Sequence, residues 1–454
     1  IDLSLALNET YGEAIHGTSM KKFVNGRTVD MTLEYMKNLV AAGVDIFDVD
    51  LGCYDNWWLP HPPGSMPPGC FLEVARTVKE FFSANQIRSN AGAEVPVVGV
   101  GKLGYPDLAE AALRGRLCDM VMLGRPLLAD PEWPNKAYAG QVEDIRPCIL
   151  CHNGCFNMCH YKGVPNDQDL SDSLHLARCA VNAEMMQWGK HHIDKTYSSK
   201  TVHIVGGGIG GMEAARVLKL RGHKPVIHEK SNELGGAFIA ASAESYKGKL
   251  RDLLAWYKRQ MKELDIEVRL GDEVKDVSAF GSDPVIVATG AVPRVLRRVP
   301  GNEKMVEACD FLLGKKDVGE TVAVIGGGLT GCEIAYELAL HGKKPIIVEM
   351  KDDLVAQKGV CLANSSYLRE WFALNEVPVY LETALKEVKD GAIVCAGKDG
   401  SDFELACDSV ISCAGYVPAP LTEKRSGVQL IGDCRAVGNL RSVVWEAYEA
   451  AMKI

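Results

Sequence analysis

A three-part α/β chain is predicted, and three features of the residue order predict it. Residues 1 to about 147 alternate short β-rich runs with helical stretches, residues 148 to about 199 are irregular and rich in cysteine, and from about residue 200 a unit of strand, glycine turn, helix and strand occurs twice. A length of 454 residues allows two to four domains, each able to bury its own core.

In the first part the β-rich runs are IDLSLAL, VDIFDVDLG (44 to 52), VPVVGVG (95 to 101) and CDMVMLG (118 to 124). Between them, TLEYMKNLVAAG and PDLAEAALRGR carry apolar residues at helical spacing and end in Gly or Arg. Strand and helix in alternation build a parallel sheet. Four strands do not close a (β/α)8 barrel, which takes about 250 residues, so this part is either half a barrel or a small open sheet. The last two strand tips, GVGK and LGRP, each offer a glycine followed by a cation, and phosphate sites in such barrels form from the loops after strands seven and eight. The first part is therefore expected to be the C-terminal half of a TIM barrel, with the N-terminal half upstream of Ile1.

The second part opens on CILCHNGCF, in which Cys148, Cys151 and Cys155 follow a C-x2-C-x3-C spacing. Structural zinc usually takes two C-x2-C pairs, or one pair plus histidines. Three thiolates from one tight loop suit an iron–sulfur cubane whose fourth corner comes from a later cysteine. That cysteine is Cys179 in ARCAVNAE or the nearer Cys159. On spacing alone zinc remains the alternative.

In the third part TVHIVGGGIGGMEAARVLKLRGHKPVIHEK is followed by TVAVIGGGLTGCEIAYELALHGKKPIIVEM. Each holds G-x-G-x-x-G between a β-rich run and a helix, as Gly206, Gly208, Gly211 and as Gly326, Gly328, Gly331. Glycines permit the tight turn and close approach of a pyrophosphate, and the helix start supplies N–H donors. Glu229 and Glu349 end the second strand of each copy, where a carboxylate accepts from ribose hydroxyls. A lone glycine triplet is a common turn, but two complete copies, each with its acid, argue for two dinucleotide-binding folds.

The bulk numbers exclude other classes. A net charge of -9 without clustered Lys and Arg argues against a nucleic-acid surface, and no apolar run approaches the ~18 to 20 residues of a membrane span. Fifteen cysteines would suit a disulfide scaffold only in a small secreted chain, and a cytoplasmic location is expected.

After the first copy come NELGG (Gly235, Gly236) and VIVATGA (Ala288, Thr289, Gly290), and near the end VQLIGDC with Asp433. Residues 200 to 454 thereby resemble the two-dinucleotide-binding-domain flavoproteins of disulfide-reductase type. The resemblance implies FAD in the first fold, with Asp433 on its ribitol, and NAD(P)H in the inserted second. Glu349, with only Lys351 nearby, would repel the extra phosphate of NADPH, which favours NADH. The expected boundaries are 1–147 for the half barrel, 148–199 for the cysteine segment, 200–318 with 405–454 for the FAD fold, and 319–404 for the NADH fold.

Across the whole chain, DVDLGCYDNWWLPHPP, LGRPLLADP, IRPCILCHNGC and RCAVN, followed by two dinucleotide folds, resemble the multidomain Old Yellow Enzyme relatives. That family includes 2-enoate reductases, 2,4-dienoyl-CoA reductase, bile-acid enoate oxidoreductases and trimethylamine dehydrogenase. The resemblance implies FMN in the barrel, one [4Fe-4S] cluster, FAD, and NAD(P)H as donor, which Glu349 narrows to NADH. By position, Gly124 and Arg125 hold the FMN phosphate with Gly101, and Lys102 stands where the family usually has arginine, keeping the charge but not the bidentate fork. Cys148, Cys151, Cys155 and Cys179 match the cluster ligands, although the 23 residues between Cys155 and Cys179 exceed the usual spacing; Cys159 is the fallback. Tyr54 occupies the place of a proton-donating histidine, as an acid or as a packed loop aromatic. Trp57, Trp58 and His61 either line the substrate pocket or pack the barrel mouth.

Two flavins and a cluster imply electron flow from NADH to FAD, then singly through the cluster to FMN, then as hydride to an activated alkene. The expected partner is a small unsaturated substrate, and a homo-oligomer is compatible with the sequence. The competing expectations are an amine dehydrogenase of the trimethylamine type and a non-catalytic electron-transfer subunit.

Overall fold

The computed structural model describes residues 28–52, 57–159, 177–187, 189, 191–357 and 359–454. The run IDLSLAL lies outside the described residues. The chain divides into two compact units, one of residues up to His152 together with Cys361–Asn375, the other of Asn153–Val360 and Glu376–Ile454.

The first unit has a parallel sheet in the order Phe47–Val49, Val97–Gly99, Met120–Val121, each strand inside a β-rich run of the sequence. Helix Val29–Ala41 starts where Thr28 caps Met31 N–H and buries Leu33, Met36 and Val40, a spacing of three and four that puts them on one face. Leu72–Ala84 follows the first strand, and Pro106–Arg114 begins at a proline that needs no helical N–H donor. These elements continue the predicted strand and helix alternation.

The second unit contains two five-stranded parallel sheets. The first runs Val428–Leu430, Val285–Val287, Thr201–Val205, Lys224–Glu229, Glu267–Leu270. Val202 and Ile204 on its central strand are fully buried, each contributing roughly 1.5–3 kcal/mol of apolar burial. The second runs Val379–Tyr380, Lys344–Val348, Thr321–Ile325, Ser409–Ser412, Val306–Glu307, with an antiparallel meander Ala384–Lys389, Ala392–Ala396, Asp402–Ala406. Ala291–Pro293 pairs with Tyr416–Pro418, tying together the strands that leave the two sheets.

The second sheet also takes in Val306–Glu307 and Ser409–Ser412, which lie outside 319–404 in sequence. Those strands are too short and too far apart in sequence for their pairing to show in a periodicity. Conversely, helix Leu362–Leu374, which lies in sequence between two strands of that sheet, belongs to the first unit.

Candidate functional site

Two backbone cradles are built alike. Gly206 adopts a φ of 112° and Gly326 one of 108°, closed to most residues with a Cβ. A Cβ on Gly211 would sit 1.9 Å from Gly206 O, and one on Gly331 would sit 1.8 Å from Gly326 O. Only glycine lets helices Ile209–Leu220 and Leu329–Leu340 close on their turns. At the middle glycine the pattern differs. A Cβ on Gly208 would meet only Gly235 O, at 3.9 Å, so that face is open to a ligand, while Gly328 faces the movable Gln357 side chain.

Each carboxylate spans its turn. Glu229, buried at the end of its strand, accepts from Gly207 N–H at 2.7 Å and Ser231 N–H at 2.8 Å. Glu349 accepts from Gly327 N–H at 2.6 Å and Lys351 N–H at 2.8 Å. The lysine beside Glu349 thus contributes its backbone to the acid. Gly235 and Gly236, both at positive φ, return the chain to the first cradle through Gly235 N–H to Gly207 O. Ala288 O lies where a Cβ on Gly206 would fall, Thr289 donates to Ala419 O at 2.7 Å, and Gly290 turns at φ 72°. Asp433 is half-buried and accepts from Gly438 N–H; burial raises its pKa. The donors and glycines of the two turns are of the kind that fit a dinucleotide in each fold.

A buried ionic knot joins the folds and has no sequence signal. Lys247 donates to Glu244 at 3.0 Å and to Glu333 at 2.8 Å, and Ser245 meets both oxygens of Glu337. Glu333 lies two residues past Gly331 on the second cradle's helix. Burial pushes the Glu244 carboxyl up to about 7, Lys247 opposes and Glu333 adds to the rise. Glu244 Oε2 and Tyr246 Oη are buried with no hydrogen-bond partner among the described residues.

In the first unit a Cβ on Gly124 would meet nothing within 4 Å, whereas one on Gly101 would strike the Phe71 ring. Gly124 therefore opens on space that a phosphate could fill, and Gly101 is required by packing. Arg125 Nη1 donates to Pro62 O at 3.1 Å and contacts His152 Nε2. The Lys102 ammonium donates to the carbonyls of Pro63, Gly64 and Met66. These contacts tie the cation to the loop after His61. His61 and Trp57 are buried edge to face, and Trp58 donates to Glu370 Oε2 at 2.7 Å. Tyr54 lies outside the described residues.

Cys148 and Cys151 fall in the first unit, Cys155, Cys159 and Cys179 in the second. Gly154 packs so tightly on Cys179 that a Cβ there would lie 2.9 Å from Cys179 Cα, and Arg178 N–H donates to Gly154 O at 2.6 Å. Trp445 donates to Cys179 O at 3.0 Å, and the Arg178 guanidinium stacks on its ring at 3.6 Å. The Cys179 segment is thus held against the loop carrying Cys155. Cys159 is exposed at the end of the short helix Phe156–Cys159. Each offers a cysteine sulfur, the donor type a cluster takes. Among the described residues no three His, Cys, Asp or Glu side chains are gathered closely enough to hold a metal ion. No helix of the described residues is long and apolar enough to cross a membrane.

Residues 200–439 match the model of the pyridine nucleotide-disulphide oxidoreductases. The chain is 35% identical over 437 residues to a cinnamate reductase of Clostridium sporogenes, covering 94% of this chain and 62% of that one. It is 30% identical over 464 residues to an NADH oxidase of Thermoanaerobacter brockii, covering 99% and 67%. The chain belongs to the multidomain Old Yellow Enzyme-like NADH:flavin oxidoreductase family. Among solved structures of such oxidoreductases, a 2-naphthoyl-CoA reductase in complex with 2-naphthoyl-CoA superposes with a TM-score of 0.81 at 26% identity, over 94% of this chain and 63% of that one. The chain thus spans roughly two thirds or less of the length of these family members.

Proposed function

We propose that the complete protein reduces an activated C=C bond, in a 2-enoate, enone or enoyl-CoA, at the expense of NADH. The observation that carries this is the pair of complete glycine cradles with their own carboxylates, in a chain that is similar to a cinnamate reductase and a 2-naphthoyl-CoA reductase. When bound, FAD and FMN exchange hydride or single electrons and a [4Fe-4S] cluster carries single electrons, chemistry that links a nicotinamide to an alkene.

The chain's own residues would act as follows. Gly206, Gly208 and Gly211 would admit the FAD pyrophosphate, with Glu229 on its ribose and Asp433 near its ribitol. Gly326, Gly328, Gly331 and Glu349 would take NADH, the carboxylate disfavouring a 2′-phosphate. The first unit would be the second half of a TIM barrel, with Gly124 and Arg125 at the FMN phosphate. Cys148, Cys151, Cys155 and Cys179 would hold the cluster. Tyr54 would keep a proton on its phenol oxygen for the substrate's α-carbon.

The test mixes the complete holoprotein with NADH anaerobically and then adds an α,β-unsaturated acid or its CoA ester. Flavin bleaching followed by reoxidation is expected. Absence of bleaching by NADH refutes the proposal, and bleaching by an amine in its place would favour the dehydrogenase direction. Bleaching without reoxidation by any enoate would favour an electron-transfer role.

A further inference from the structure

Helix Leu362–Leu374 is enclosed in sequence by strands of the nicotinamide fold, yet it is part of the first unit. Its contacts there fall on one face. Asn364 Oδ1 lies 2.6 Å from His152 Nδ1, Tyr367 meets Trp58 edge to face with ring centroids 5.5 Å apart, and Glu370 accepts from Trp58 Nε1 at 2.7 Å. Positions 364, 367 and 370 recur every three residues, the spacing of neighbours along a helix face.

The hydrogen-bond chain through His152 has one consistent polarity. A guanidinium can only donate, so the contact between Arg125 Nη1 and His152 Nε2 requires the lone pair to be on Nε2. The ring proton is then on Nδ1, where Asn364 Oδ1 accepts it. His152 is 1% exposed, so water does not offer a substitute for Asn364. With Pro62 O also on Nη1, His152 is one of the groups that orient the arginine fork.

We propose that Asn364 is a positioning residue for the flavin-phosphate arginine, acting by fixing the His152 tautomer that accepts from Arg125; this rests on the reading of Arg125 as the FMN-phosphate cation. A helix whose sequence lies between strands of the second sheet thereby sets the grip on the flavin phosphate within the first unit, and Glu370 and Tyr367 hold its register through Trp58.

The test uses N364L, which keeps the side chain's shape and removes the acceptor, in the complete holoprotein. FMN and FAD contents are read after acid release, FMN affinity by fluorescence titration of deflavinated protein, and the phosphate environment by the phosphorus NMR shift of bound FMN. A rise of about tenfold in FMN Kd and a moved phosphorus resonance are expected, with FAD content unchanged. R125A is the control and should lose FMN. If R125A loses FMN while N364L binds it within twofold and with an unmoved resonance, the inference alone fails. If R125A keeps FMN, the reading of Arg125 fails and takes the inference with it. Should N364L lose FAD as well, N364A replaces it under the same expectations.

Discussion

Gly331→Ala gives the most direct test of the second cradle. The added Cβ would stand 1.8 Å from Gly326 O and 3.0 Å from Gly326 C, where a carbon and a carbonyl oxygen ordinarily approach to about 3.3 Å. Both partners are backbone, so no rotamer change relieves the clash; helix Leu329–Leu340 must move off its turn by ~1.5 Å. Overpacking of this kind costs ~1–3 kcal/mol. If that cost falls on the ligand-binding form of the turn, NADH affinity drops ~5- to 150-fold. The first cradle lies in a different sheet, so FAD should remain bound. Gly211→Ala, whose Cβ would be 1.9 Å from Gly206 O, should do the opposite and release FAD. Anaerobic stopped-flow bleaching across a range of NADH concentrations, with flavin content measured on the same samples, separates the two. Unchanged half-saturation in G331A would refute the cradle's role, and FAD loss in G331A with retention in G211A would mean the two folds are assigned the wrong way round.

Three further outcomes are expected. Glu349→Ala should raise the half-saturating NADH concentration about tenfold, the worth of one charge-assisted hydrogen bond, and change NADPH little; an unaltered preference would remove Glu349 from the ribose. Cys179→Ser should abolish iron and acid-labile sulfide in the purified protein while NADH still bleaches FAD, and an intact cluster in that variant would move the fourth ligand to Cys159. Glu244 is ordinarily at 4.5 and stands at about 7 when folded, so the folded chain keeps a proton that the unfolded chain releases. Stability therefore falls as pH rises from about 4.5 to 7, by ~3 kcal/mol at most. Melting temperature measured across that window should lose this slope in E244Q, and an identical slope in both proteins would sink the assignment.

What could be read without coordinates was local. The two glycine fingerprints, their acids, the strand and helix alternation of the first part and the spacing of Cys148, Cys151 and Cys155 each encode a backbone or ligand geometry within a few residues. Such patterns carry their constraint in the sequence itself, because a turn that tolerates no Cβ can hold only glycine. Tertiary structure decided which distant residues complete them. It moved Val306–Glu307 and Ser409–Ser412 into the second sheet and turned the Lys102 ammonium onto three carbonyls of a loop. It placed Cys179 against Gly154 and brought Asn364 to His152 across 212 positions. None of these has a periodicity or a spacing to betray it, because each depends on how whole elements pack, and packing is a property of surfaces that the order of residues creates only once the chain has folded.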